Sequence, residues 1–187
     1  MNEILSFRSS SEFRKWLAAN HRDSNGIWLR ILKKDSGQLS VTYAEALDEA
    51  LCFGWIDGQK QRHDEISWRQ KFTPRRLKSG WSKINTQHAE RLIQASRMKA
   101  AGHAAIDSAK KDGRWTAAYD SPSQATVPED FLAALRRNKN AQAFFQSLNN
   151  ANRYAIAYRL QTAKKPETKQ RRMEVILAML ARGEAFH

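Results

Sequence analysis

Between positions 55 and 85 the chain gathers Trp55, Asp57, Lys60, Trp68, Arg69, Lys71, Arg75, Arg76, Lys78, Trp81 and Asn85. Indole rings supply flat apolar surface, and guanidinium and ammonium groups supply donors for phosphate or carboxylate. Held together, such a set makes a groove for a nucleotide, a single strand or a small aromatic acid. Asp57, between Ile56 and Gly58, adds a carboxylate for acid or base work beside Lys60 or Arg75. The candidate ligand-binding residues are therefore Trp55, Asp57, Lys60, Trp68, Arg75, Arg76, Trp81 and Asn85. Each also fits a plainer role. The tryptophans can be core anchors, Asp57 can fix a turn or pair with Lys71 across a ladder, and Arg75-Arg76 after Pro74 can be idle at the surface.

Other chemistries find little to stand on. The histidines at 21, 63, 88, 103 and 187 have no metal-ligand spacing, and Cys52 is the only cysteine, so neither a metal nor another cofactor is expected. Gly54 and Gly58 lack the strand, loop and helix context of a phosphate cradle. Ser79-Gly80-Trp81-Ser82 lacks the glycine spacing of a nucleophile elbow. The pairs Asp48-Glu49 and Asp64-Glu65 read as solvated, because neighbours at i and i+1 do not converge on a substrate.

A length of 187 residues with 41% hydrophobic residues suits a packed globule without disulfides. No apolar run is long enough to span a membrane, and the start, Met1 to Arg8, lacks the basic-then-apolar order of a secretory signal. With one cysteine, a reducing cytoplasm is the expected location. The net charge of +13 is uneven. Residues 1–60 carry eight Lys/Arg against eight Asp/Glu, residues 61–120 thirteen against six, and residues 121–187 eleven against five. That excess attracts phosphate or nucleic acid non-specifically, or simply keeps helices solvated.

The elements that must position these residues read as follows. Ser9-x-x-Glu12 is a capping-box pattern opening a short helix that ends near Asn20-His21. Gly26 to Lys33 reads as a strand covered on both faces, broken by Asp35-Ser36-Gly37. Thr42-x-x-Glu45 opens a second helix, with Cys52 as a small core residue in its last turn and Gly54 as a left-handed cap. Residues 55–62 and 65–73 make a hairpin around His63-Asp64, with Ile66, Trp68 and Phe72 on one face and Pro74 stopping the ladder. From Trp81 onward the pattern is helical. Gly102 separates two helical segments, and Thr126-x-x-Glu129 is a third capping box. A last helix runs from about Pro166 with Met173, Ile176, Leu177 and Leu180 as its stripe. The fold class is α+β: a small N-terminal mixed portion with a β-hairpin, then a mostly helical C-terminal part. The expected division is a head at 1–119, a linker near 120–128 and a helical region at 129–187.

Several of these stretches occur together in a known family. "SVTYAEALDEALCFGWIDG", "FTPRR" and "SGWSKIN" between Ser40 and Asn85, "DGRW" at 112–115 and "AKKPETKQRRMEVILAMLARGE" at 163–184 resemble the bacterial YdeI/OmpD-associated, or bacteriocin-protection, family over nearly the whole chain. The resemblance implies a link to resistance against cationic antimicrobial peptides and, by name only, association with an outer-membrane porin. It supplies no catalytic residues. A periplasmic porin partner requires export, and like charges oppose direct capture of a cationic peptide by this basic chain. The expected function is a small cytoplasmic, non-enzymatic binder of an anionic small molecule linked to stress or antimicrobial-peptide resistance. Two alternatives stand beside it: a nucleic-acid-associated protein using the basic helical tail, and an enzyme of undescribed activity using Asp57.

Overall fold

A computed structural model describes residues 3–187; Met1 and Asn2, where the reading of the leader begins, lie outside the described residues. The fold is α+β, with a four-stranded sheet in the N-terminal part and helices in the C-terminal part. Two compact units form. One comprises the residues through Gly80 together with Asn85–Thr116, and the other comprises Trp81–Ile84 with Ala117–His187.

The first unit opens with β1 (Ile4–Ser6), α1 (Ser10–Asn20) and β2 (Ile27–Leu32). β1 and β2 pair in parallel, Ile4 opposite Trp28, which requires a crossover that α1 supplies. Three residues are too few to show a period, and β1 was not predicted. The cap of α1 is half a box: Ser9 Oγ accepts from the Glu12 amide at 3.3 Å, while the Glu12 carboxylate accepts from the Arg8 amide instead of Ser9's. After a 3-10 turn (Lys34–Ser36), α2 (Tyr43–Cys52) begins on a complete Thr42/Glu45 box and ends before Gly54 at φ 71°. A Cβ at Gly54 would lie 2.7 Å from the Ala101 carbonyl oxygen, so glycine is required there by space as well as by dihedral.

The predicted hairpin forms as β3 (Trp55–Arg62) and β4 (Ser67–Pro74), and β4 inserts beside β2, giving the order β1-β2-β4-β3. The β3–β4 register shifts between Asp57 and Lys60. There the buried Gln70 amide donates to the main-chain oxygens of Gly58 (2.8 Å) and Gln59 (3.2 Å), so that bulged backbone is not left unsatisfied. Opposed residues share a face, so Ile27, Leu29 and Ile31 lie with Phe72, Gln70 and Trp68. α1 packs on that inner face through Phe13 against Phe72 and Trp16 against Trp55, and the start of α2 through Tyr43 against Trp68. The outer face carries Trp28, Arg30, Arg69 and Lys71, all half-buried.

In the strands the structure departs from expectation twice. β2 is not covered on both faces: Ile27, Leu29 and Ile31 are buried and alternate with half-buried Trp28, Arg30 and Leu32, the large apolar Trp28 having hidden the period. Ile66 precedes β4 and is exposed, so the inner positions of that strand are Trp68, Gln70 and Phe72.

α3 (Lys83–Gln94) and α4 (Ala100–Lys111) follow. Gly102 does not separate helices but sits inside α4. A Cβ there would lie 2.5 Å from the Cys52 carbonyl oxygen and 2.8 Å from that of Leu51, so glycine lets α4 lie directly on the end of α2.

The second unit holds α5 (Glu129–Leu135), α6 (Lys139–Ser147), α7 (Asn150–Gln161) and α8 (Pro166–Ala181). Phe131, Leu135, Ala141, Leu148, Ile156, Leu160, Met173, Ile176 and Leu180 form its core. Asn138 and Asn149 cap α6 and α7 through their side-chain oxygens. The Thr126/Glu129 box does not form. Pro128 occupies the cap position, which leaves Thr126 two residues too early to reach the first amides.

Candidate functional site

The structure disperses the residues gathered between 55 and 85. Trp55 is buried, its Nε1 donating to the His21 carbonyl oxygen at 3.1 Å, and Trp81 and Asn85 are buried too. Trp81 belongs to the second unit, while Trp55 and Asn85 belong to the first. Arg75 braces its own loop, with Nη1 donating to Gly80 O at 3.2 Å, and Arg76 is exposed. Arg114 of the DGRW stretch fastens the same loop by donating to the Ser79 carbonyl oxygen at 2.8 Å and to Asp112.

Three of the eight do meet, on the inner sheet face beside the start of α2. Tyr43 donates its hydroxyl to Asp57 Oδ2 at 2.8 Å, its ring lies 6.0 Å from that of Trp68, and Lys60 Nζ sits 4.3 Å from the Trp68 ring. Burial, then the Asp57 charge, pushes the Tyr43 hydroxyl well above its ordinary value, so it stays a proton donor to Asp57. Phe72, not Lys71, lies opposite Asp57 in the ladder. Within this cluster the Tyr43 hydroxyl and Asp57 partner each other, and the Lys60 ammonium rests on the Trp68 ring.

Asp48 and Glu49 are not solvated. Glu49 is 3% exposed and accepts from Arg14 Nη1 (2.5 Å) and Arg97 Nη2 (2.6 Å). Asp48 pairs with Arg91 at 2.6 Å and His88 at 3.2 Å. Adjacent residues on a helix point about 100° apart, and here each direction meets cations from α1, α3 or the residues after α3. The network binds those elements to α2 beside buried Cys52, whose thiol is pushed up chiefly by burial.

A concavity lies elsewhere, between α7 and α8. About 500 Å³ in volume, it is lined by Tyr158, Arg159, Thr162, Arg171, Arg172, Val175, Ile176 and Phe186. Its walls are mostly apolar, three arginines border it, and no carboxylate lines it. Arg172 Nη1 donates to the Arg159 carbonyl oxygen at 2.6 Å and so covers the end of α7. The Arg159 guanidinium lies 3.8 Å from the Phe186 ring centroid. Arg171 is exposed and makes no ion pair among the described residues. Phe186 is held by buried Asn152, whose Oδ1 accepts from the main-chain amides of Phe186 and His187, both at 3.0 Å. Val175, at 62% exposure, leaves apolar surface open at the mouth. A second hollow of about 390 Å³ lies on the other side of Tyr158 and Arg159, beside Tyr154 and Pro122.

None of these residues is among the site candidates read from the sequence; Ile176 stands there only in the apolar stripe of the last helix. The signal was present in the Arg171-Arg172 pair followed one turn later by Val175 and Ile176, which sets cations beside an apolar step on one helix. Asn152 and Phe186 gave no signal, since only the folded tail brings them together.

Residues 5–105, more than half of the 187, match the family described as a domain of unknown function (DUF8412). The chain belongs to that family. Residues 124–183 match the family described as bacteriocin-protection, YdeI or OmpD-associated. The YdeI/OmpD-associated assignment thus rests on the tail stretch 163–184, whereas the motifs between Ser40 and Asn85 fall within the DUF8412 match. The cleft residues from Tyr158 to Ile176 lie inside the YdeI/OmpD-associated region. No curated protein and no solved structure matches the chain. Among the described residues, no group of three or more His, Cys, Asp or Glu is placed to hold a metal ion, and no helix is long and apolar enough to cross a membrane.

Proposed function

We propose that this protein is a non-enzymatic binder of an amphipathic anion, an apolar or aromatic body bearing a carboxylate or phosphate, held in the cleft between α7 and α8. The observation that carries this reading is a concavity of about 500 Å³ with apolar walls and three arginines but no acid in its lining. Arg171 and Arg159 offer planar donors to the anionic group, and Phe186, Val175 and Ile176 take the apolar body. The description of the family matched at 124–183 names bacteriocin protection. Under this proposal such protection runs through the small anion, in the cytoplasm, because a basic surface repels a cationic peptide.

Thermal unfolding against a panel of aromatic carboxylates, nucleoside monophosphates, medium-chain fatty acids and inorganic phosphate tests it. A ligand at a hundred times its Kd stabilises by about 2.7 kcal/mol. The expected result is a rise in Tm with one amphipathic class, lost in Arg171→Ala and in Phe186→Ala. A panel without any shift, or a shift equal for inorganic phosphate and untouched by Phe186→Ala, overturns the reading.

A further inference from the structure

We infer that the outer face of the sheet is a stacking platform for single-stranded nucleic acid. Helices α1 and α2 pack on the inner face, while the outer positions carry Trp28 on β2 between cations of β4. The Arg69 guanidinium lies 4.9 Å and the Lys71 ammonium 5.7 Å from the Trp28 ring centroid. Arg30 is next along β2, paired with Asp64 in the turn at 2.9 Å, and Arg69 Nε donates to Gln61 Oε1 at 3.0 Å. No strand position on this face bears a carboxylate: the remaining neighbours are Ile4, Ser6, Leu32, Ile56, Ser67 and Thr73.

The chemistry of that surface selects its occupant. An indole and a guanidinium stacked on it present flat, polarisable surface to unpaired bases. Ammonium and guanidinium groups at strand spacing meet phosphates, and the Asp64 carboxylate at the end of this face is held by Arg30 and Ser67, which leaves Arg69 and Lys71 to face a polyanion. Gly58, on the neighbouring strand, has no side chain over Lys71: a Cβ there would sit 3.7 Å from the Lys71 Cβ, so backbone lies close to that stem. A duplex keeps its bases stacked on one another and gives Trp28 nothing to pair with, which makes the single strand the fitting partner. This surface differs from the basic helical tail, which carries charge but not this aromatic and cationic arrangement.

The test is fluorescence anisotropy of a short labelled oligouridylate with the full chain, titrated with salt, with inorganic polyphosphate as competitor and a duplex of the same length as comparison. Trp28→Ala is expected to weaken binding about tenfold with an unchanged salt slope, and Trp28→Phe to keep most of the affinity. The double variant Arg69→Ala with Lys71→Ala is expected to flatten the log–log slope by about 1.4, two phosphates at about 0.7 each. Circular dichroism verifies folding of each variant, and Trp28→Leu, which keeps apolar bulk without an aromatic face, stands in should Trp28→Ala unfold, with the same loss expected. Arg171→Ala and Lys164→Gln with Lys165→Gln are expected to leave binding unchanged. Any one of five results overturns the inference: no binding at low salt, a duplex bound as well as the single strand, polyphosphate competing as well per charge, insensitivity to Arg69 and Lys71, or loss through the cleft or tail variants.

Discussion

Replacing Gly102 by alanine adds one methyl group where α4 crosses the end of α2. In an exposed helix the change would stabilise by about 1 kcal/mol, because alanine has the better helix propensity. Here the new carbon would stand 2.5 Å from the Cys52 oxygen and 2.8 Å from the Leu51 oxygen, and against Met98 Sδ. The methionine can swing aside, since three rotatable bonds let it refill space. The two carbonyls cannot: they belong to the last turn of α2, and Cys52 O also accepts from the Lys99 amide at 3.0 Å. Overpacking at the upper end of the usual range costs about 3 kcal/mol. Subtracting the propensity gain leaves a destabilisation of about 2 kcal/mol, a fall in Tm of about 4–8 °C for a chain of this size. Urea and thermal unfolding followed by circular dichroism measure it. Gly58→Ala, whose Cβ has ordinary contact at 3.7 Å, is the control and should change stability by no more than about 0.5 kcal/mol. A Gly102→Ala protein as stable as wild type would show that α4 can slide off α2 at little cost and would refute the packing argument.

Asn152→Ala removes the acceptor for two tail amides, with an expected cost of about 2 kcal/mol, and should abolish ligand stabilisation as fully as Phe186→Ala does; retained stabilisation would mean that Phe186 needs no anchor. Asp64 is held below the ordinary carboxylate value by the Ser67 hydroxyl first, then by the Ile66 amide and Arg30. A depressed carboxylate contributes stability above its unfolded value of about 4 and loses it as pH falls through the folded one. The stability difference between wild type and Ser67→Ala should therefore be constant from neutral pH to about 4 and shrink below it, and a difference that grows in acid would refute this assignment. Cys52 is fully buried with its thiol pushed up by burial, so iodoacetamide should label it only at the rate of unfolding; fast labelling of the native protein would show that the end of α2 opens.

The periodic elements were legible in the sequence. The Thr42 box, the hairpin bounded by Gly54 and Pro74, and the Met173, Ile176, Leu177, Leu180 stripe each carry a local signal that needs no partner to be read. What escaped depends on residues distant in sequence. Glu49 looked solvated because its cations, Arg14 and Arg97, come from 35 and 48 positions away. Gly102 looked like a breaker because its reason is the carbonyl of Cys52, fifty residues earlier. Trp55 and Trp81 drew attention by type, yet a large ring is interior whenever the surrounding elements can close over it. The cleft was hidden for the converse reason. Its arginines are ordinary on a basic helix, and only the return of Phe186 makes a wall behind them.

The register shift in β3 has a bearing on how the molecule lives among copies of itself. A sheet ends in two unpaired edges, each a template for another strand, and a long flat edge invites polymerisation. Here one edge is β1, only three residues long, and the other is β3, bent between Asp57 and Lys60 and lined beyond that point by Lys60 and Arg62. Neither edge presents an uninterrupted run of amides and carbonyls to an incoming strand. Edge-to-edge pairing is thereby opposed at both boundaries of the sheet by strand length, bend and charge, without any contribution from Trp28 and its neighbouring side chains.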